Sequence, residues 1–494
     1  MKEAALSVID QKADIFTEVS DKIWEYAELS LMEYKSMDLY LKVLEEEGFT
    51  VEKGICGVPT AFSGSFGSGR PIIGILGEFD ALSGLSQVAG ITERKQLVEG
   101  GCGHGCGHNM LGAGSLAAAF AVKRYLEETK KSGTVIFYGC PGEEGGAGKA
   151  FMARDNAWRN LDAAISWHPG DSNGVSATSN LSCIQKEYKF TGLASHAAGA
   201  PEFGRSALDA VELMNIGVQF LREHMPSSAR IHYAITDGGG NSPNVVQPTA
   251  QVLYMVRAVN VNEALKLQAR VDKIAEAAAM MTETEMKIRF IDGTADVLNN
   301  VTLEQLLYKN FEEIGVAQFD EEDFAYATEL AKTYTKTRLP GTGEGNDDKI
   351  MDLVIEKTQN GTRPLNDFLI PYYPSGITRP GSTDVGDVSW QTPTAQIRTV
   401  CFAAGSPGHS WQNVCTAKSS IGHKGLLNAG KVMAAAVIDM IDDPTIIEKA
   451  TEEFKKKSAA GYNCPIPADA VPTPVGGLAI VNSVAMNIGV YVSF

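Results

Sequence analysis

The apolar positions of the chain change their rhythm three times, and those changes divide it into four stretches. Over residues 1–50 they recur at helical spacing, with Ile23, Tyr26, Leu29 and Leu31 in step and Gly48 as a stop, which predicts two amphipathic helices. From there to about residue 170 short apolar runs alternate with a helical segment. Residues 72–76, 134–140 and 163–167 read as buried strands, and 109–128 reads as a helix opened by an Asn109 cap. Strand and helix in alternation predict an α/β layer with a mostly parallel sheet.

The middle stretch has a different rhythm. Residues 182–192 alternate like a half-exposed strand, followed by a helix (205–224), strands (229–235 and 245–259), a helix (262–282) and a strand (285–292). The order β-α-β-β-α-β is the ferredoxin-like pattern. It predicts a compact α+β domain at 183–299, inserted into a discontinuous first domain made of 1–182 and 300–494. Helix–strand alternation then resumes and ends in a buried strand at 396–404. Residues 335–382, rich in Gly, Pro, Asp and Thr, read as a long insertion near the mouth of a site.

Composition sharpens this in three places. At 494 residues, length alone allows about three domains, and the patterning reduces them to two. A net charge of −17 argues against a nucleic-acid partner, because phosphate neutralisation needs clustered cations. Eight cysteines are too sparse for a disulfide framework, and the charged N-terminus has no apolar signal segment, so a reduced, cytoplasmic setting is expected. Residues 471–494 carry no charge and are long enough to span a membrane. Their Asn482, Asn487, Ser483 and Ser493 and the lack of a following basic cluster favour a packed tail, so no membrane partner is expected.

Candidate chemistry gathers at strand ends. GCGHGCGHN (101–109) offers Cys106 and His108 in a Gly-rich loop before a helix, donors that suit Zn²⁺ and related ions. Glu143 and Glu144 follow a buried strand directly. His168 closes the strand AAISW, and His409 follows the strand ending near Ala404. Each alone is an ordinary surface or structural residue. Together with Asp80 they fall at or just beyond the C-terminal ends of apolar strands, where open parallel sheets bind ligands. That supplies one crevice with more donors than one ion needs and about enough for two. GEEGGAGKA is not a phosphate loop: that pattern needs Gly where Glu143 stands and Ser or Thr where Ala150 stands.

The ordered motifs GHGCGHN, PGEEGG, SWHP, ASHAAGAPEFGRSALDA, NVVQP, GSTDVGDVSW and GSPGHSW resemble the aminoacylase–carboxypeptidase family of co-catalytic metallopeptidases, in its cysteine-ligand amidohydrolase branch. The resemblance implies a metal-binding α/β domain with an inserted ferredoxin-like lid that also dimerises. It implies two divalent ions in each copy of the chain, Zn²⁺ or Mn²⁺, held by Cys106 as the bridging ligand with His108, Glu144, His168 and His409. Glu143 would be the general acid/base. His196, Asn244 and Arg257 of the lid would bind the substrate, and His196 often reaches across a dimer in this family. Asn244 and Arg257, on and beside one strand, are expected to face a common cleft. Other branches open with His-x-Asp where this chain has Glu78-Phe79-Asp80, so Asp80 is expected to orient a ligand and Glu78 is not counted as one. Cys102 and His104 match no ligand position.

The implied activity is cleavage of the amide bond of N-acyl or N-aroyl amino acids, with p-aminobenzoyl-glutamate the leading substrate. A dipeptidase or general N-acyl amino acid hydrolase on the same site is the alternative. A third reading is a non-catalytic component that binds metal or peptide. Either a homodimer through the lid or a heteromer with a related chain is expected.

Overall fold

The computed structural model describes residues 1–474 except 337, 343–345 and 347. Its first six strands are β1 (Thr50–Lys53), β2 (Phe62–Ser68), β3 (Ile72–Glu78), β4 (Gly133–Cys140), β5 (Ala163–Gly170) and β6 (Gly174–Val175). After the short β7 (Ser179–Asn180) come β8 (Ser182–Thr191), β9 (Arg230–Asp237), β10 (Thr249–Ala258) and β11 (Glu285–Thr294), then β12 (Thr378–Arg379) and β13 (Thr394–Val400). A seven-stranded sheet runs in the order β1-β2-β4-β3-β5-β13-β6. The pairings β3–β4, β3–β5 and β5–β13 are parallel, and antiparallel pairing is confined to the flanks.

The parallel centre is covered on both faces, which is why its strands read as apolar runs and not as alternating ones. Along β3, Ile73 and Ile75 join the core under helices His108–Thr129 and Ser420–Asp442, whereas Leu76 points to the opposite face. There it meets Phe151, Trp158 and Val388. Each buried indole has an acceptor: Trp167 Nε1 donates to the Leu111 carbonyl at 2.8 Å and Trp158 Nε1 to that of Lys149 at 3.2 Å.

The inserted segment forms an antiparallel sheet in the order β11-β8-β10-β9, with helices Ala207–Arg222 and Val261–Thr282 packed on it through Val211, Met214, Leu267 and Val271. This is the element order the periodicity implied.

Two local expectations need correction. The first fifty residues form three helices, Lys2–Gln11, Ala13–Tyr26 and Tyr34–Glu46, because the chain turns at Lys12. Asn109 is not a cap: the long helix begins one residue earlier, at His108. The Asn109 amide instead donates to Ser20 Oγ at 3.0 Å and to the Ala417 carbonyl at 3.1 Å, tying the helix start to its neighbours. Part of the 335–382 insertion is ordered as the helix Asp348–Lys357 and β12. The uncharged tail lies outside the described residues beyond position 474. Among the described residues no helix is long and apolar enough to cross a membrane.

One buried acid makes stability depend on pH. Asp387, wholly buried, accepts from the Tyr462 hydroxyl at 2.6 Å and from the Ala295 N–H at 3.0 Å. Burial nevertheless pushes its carboxyl up to about 8. A raised acid holds its proton in the fold at pH values where the unfolded chain has lost it, so stability falls as pH rises from about 4 to about 8. Asp387→Asn keeps an acceptor and removes that slope. In denaturant melts the variant should gain on the wild type at pH 9 relative to pH 5; equal slopes for both proteins would disprove this.

Candidate active site and metal centre

Strands β3, β4, β5 and β13 run parallel, so their C-terminal ends share one edge of the sheet. Chain leaving β3 supplies Glu78 and Asp80, and chain leaving β4 turns through Pro141-Gly142 into Glu143 and Glu144. The end of β5 carries His168, and the loop after β13 carries His409. Helix His108–Thr129 begins over the same edge. Gly107, at φ +86°, makes the left-handed turn that separates Cys106 from His108; a side chain there would meet Met110 and Phe402 at 2.8 and 2.9 Å.

A cavity of about 220 Å³ opens there, lined by Cys106, Glu143, Glu144, His168, Ser382 and Arg398, with His409 at its rim. The donors pair closely: Cys106 Sγ lies 3.4 Å from His168 Nε2, His409 Nε2 3.4 Å from Glu144 Oε1, and His108 Nε2 3.3 Å from Glu78 Oε2. Two ligands of one tetrahedral ion with bonds of about 2.0–2.3 Å are separated by about 3.3–3.6 Å, so these are ligand-pair distances. Among the described residues three donor sets converge within 4.8 Å: Cys106–His108–His168, Cys106–Glu144–His409 and Glu78–His108–Glu143. The first two share the thiol.

Orphaned atoms point the same way. Glu78 Oε2, His108 Nε2 and Glu144 Oε1 are buried without a hydrogen-bond partner. An unsatisfied buried polar group costs about 1–3 kcal/mol, more if charged, and a cation among these atoms would remove that penalty. The surrounding residues fix the tautomers. His108 Nδ1 lies 2.8 Å from Asp80 Oδ1, and His168 Nδ1 2.7 Å from the Pro169 carbonyl, so each ring presents its Nε2 lone pair to the cavity. Burial lowers His168 to about 4, leaving it neutral and able to ligate. Burial, then Glu144, pushes the Cys106 thiol up, so a thiolate at this position needs an adjacent cation.

Asp80 is a joint of the site. Although burial would raise it, hydrogen bonds from His108, from Ser30 Oγ at 2.7 Å and from the Glu144 N–H at 2.9 Å hold it down to about 2. It therefore fixes His108 and the Glu144 backbone together. Burial, then Glu78 and Glu144, raises Glu143 well above the ordinary carboxyl range. His104 is elsewhere: its Nε2 lies 3.0 Å from the Ile23 carbonyl in the interior. Cys102 lines a separate cavity beside Trp24.

The lid residues are distributed differently. His196 and Asn244 are exposed neighbours, bridged through Ala197 N–H to the Asn244 carbonyl at 2.9 Å. Arg257 stands near the far end of β10 and donates to Ser382 Oγ at 2.6 Å, beside the cavity. β10 begins at Thr249, and at about 3.4 Å per residue Arg257 stands about 27 Å along it from that end, beyond which Asn244 lies, so the strand does not bring the two to a common cleft within one chain.

Periodicity and motif spacing miss Lys149. It is wholly buried, with Nζ 2.8 Å from Glu78 Oε1 and 2.5 Å from Asp384 Oδ1. Its only signal is a lysine in GEEGGAGKA that serves no phosphate. They miss Arg398 as well. It is in register with His168 on the neighbouring strand, so both side chains emerge on the same face.

A family model described as peptidase family M20/M25/M40 matches residues 75–352. The chain belongs to this family. It is 43% identical to a chain of the p-aminobenzoyl-glutamate hydrolase of Escherichia coli (strain K12), over 93% of this chain and 96% of that one. It is 26% identical to the Xaa-Arg dipeptidase of Homo sapiens, over 92% of each chain. Solved structures with the same fold include an aminobenzoyl-glutamate utilization protein from Klebsiella pneumoniae (TM-score 0.56, 14% identity, 87% of this chain and 97% of that one). A dinuclear metal binding M20 peptidase from Bacillus subtilis is another (TM-score 0.50, 15% identity, 86% and 98%). As an M20 family member the chain is a hydrolase of amide bonds with candidate metal-binding residues in its cavity.

Proposed function

We propose that this M20 hydrolase uses two divalent ions to cleave the amide bond of N-acyl or N-aroyl amino acids, p-aminobenzoyl-glutamate foremost. The observation that carries the reading is the sharing of Cys106 by two donor triads directly beside Glu143. One triad is Cys106, His108 and His168 and the other Cys106, Glu144 and His409. The kinship with the E. coli p-aminobenzoyl-glutamate hydrolase supports the substrate. Thiolate favours Zn²⁺, while the imidazoles and carboxylates also accept Mn²⁺.

When bound, the ions acidify a water and polarise the scissile carbonyl. Glu143, in the cavity beside Glu144, takes the proton of the attacking water and returns it to the leaving nitrogen. Glu144 anchors the turn that carries Glu143, and Asp80 holds that turn against His108. Arg257 is assigned the substrate carboxylate, which suits a planar guanidinium.

In this reading residues 183–299 form a lid and dimerisation domain on a body made of 1–182 and 300–494. His196 and Asn244, distant from Arg257 on one chain, would serve the cavity of a second copy. The exposed edge strand β9, with Tyr233 and Ile235, and exposed Phe220 nearby support a homodimer through the lid. A heteromer is the alternative, since the name of the E. coli relative makes it one subunit of its enzyme.

A panel of carboxylate-terminated amides tests the substrate. p-Aminobenzoyl-glutamate should be turned over with the highest kcat/KM, and a chelator should abolish turnover. A dipeptide preferred over it would move the assignment to a dipeptidase, the activity named for the 26% identical relative.

A further inference from the structure

We propose that Arg398 selects an acidic amino acid in the substrate by binding its side-chain carboxylate. This rests on the amidohydrolase reading above and adds a second carboxylate site to the one assigned to Arg257.

The strand that carries Arg398 departs from the rule its neighbours follow. β3 and β5 are buried along most of their length, as strands covered on both faces should be. β13 pairs in parallel with β5, yet its Gln396 and Arg398 are only half-buried, while Ile397 between them lies in the core. Residues two apart on a strand share a face. Gln396 and Arg398 accordingly both line the cavity that holds Glu143, Glu144 and His168. Packing alone would favour an apolar residue at this position; a guanidinium brings a fixed positive charge to the cavity instead.

The charges around it give that position its meaning. Among the described residues lining the cavity, Arg398 is the only lysine or arginine, set against the carboxylates of Glu143, Glu144 and Glu304. Glu304 is committed elsewhere, accepting from the Asn299 amide at 2.8 Å and from the Tyr372 hydroxyl at 2.7 Å. An N-aroyl glutamate brings two carboxylates to this acidic surface. Arg257, bonded to Ser382 at the cavity's edge, accounts for one of them. The other needs a second cation, and a planar guanidinium fork matches a carboxylate.

The positive side continues away from the proposed ion sites. Arg398 also lines an adjoining cavity of about 190 Å³, together with Arg338 and Arg379. Asp171, the one carboxylate among that cavity's described lining residues, accepts from the Gly405 N–H at 2.9 Å and so holds the loop leading to His409. Arg379 and Arg398 have partners within the chain as well. A substrate carboxylate would join those contacts, because each guanidinium has five donors to share.

A neutral isostere isolates the effect. The wild type is assayed with p-aminobenzoyl-glutamate and with p-aminobenzoyl-glutamine. Its kcat/KM should be about 10- to 100-fold higher for the glutamate compound, the range for a hydrogen-bonded charged group. Arg398→Gln should bring that ratio close to one, chiefly by raising KM for the glutamate compound, and Arg398→Lys should keep part of it. Equal kcat/KM for the two compounds in the wild type overturns the inference. So does a wild-type ratio that survives in Arg398→Gln, and both results leave the amidohydrolase reading intact. A wild type that cleaves neither compound overturns that reading too. Should Arg398→Gln fail to fold, the wild-type crystal structure with metal and L-glutamate decides. A side-chain carboxylate within about 3 Å of an Arg398 nitrogen supports the assignment, and one held only by other residues refutes it.

Discussion

Glu143→Gln should retain both ions and the fold yet lose about 10²- to 10⁴-fold in kcat, the share a positioned general acid/base contributes. The amide fills nearly the same volume but cannot accept the water's proton. Because Glu143 belongs to neither of the two triads that share Cys106, metal content should be unchanged. Cys106→Ser should behave differently: its donor is common to both triads, so metal is lost along with activity. Elemental analysis beside steady-state kinetics separates the two. A Glu143→Gln protein of full activity would remove Glu143 from the mechanism.

The second large effect is on stability. Lys149→Met should destabilise the chain by about 3–5 kcal/mol, because removing one partner of a buried ion pair strands the charge it neutralised. Here the stranded groups are Glu78 and Asp384, both within 2.8 Å of Nζ. Asp384 also accepts from the Lys149 backbone N–H at 2.8 Å, so part of the contact survives the substitution. Adding Glu78→Gln and Asp384→Asn to Lys149→Met should restore most of the loss, since the uncompensated charges are then gone. Urea melts read both quantities. A single variant as stable as the wild type would mean that the three side chains are not coupled as the geometry implies.

Much of this architecture is written in local pattern. The apolar runs of β3, β4 and β5 are readable because strands covered on both faces need no polar alternation. The inserted sheet is readable because β10 alternates buried and half-buried residues along its length. The site is readable where donors fall at strand ends, as with Glu144, His168 and His409. What stays hidden is long-range pairing. Lys149 meets Asp384 across 235 positions of sequence, and no spacing rule links a lysine after a Gly-rich turn to an aspartate so far away. Glu78 looks like an ordinary strand-end glutamate until His108 is seen to face it. The separation of Asn244 from Arg257 misleads for the converse reason. Thirteen residues look close in sequence but are a long way along an extended strand.

The most direct test of the account is activity against bound metal. The purified full chain, stripped by chelation and reloaded stepwise with Zn²⁺ or Mn²⁺, is assayed for glutamate released from p-aminobenzoyl-glutamate. Activity should be absent from the stripped protein, rise with bound metal and level off at two ions per chain. Undiminished hydrolysis without metal would contradict the account, and so would a chain holding two ions that cleaves no carboxylate-terminated amide.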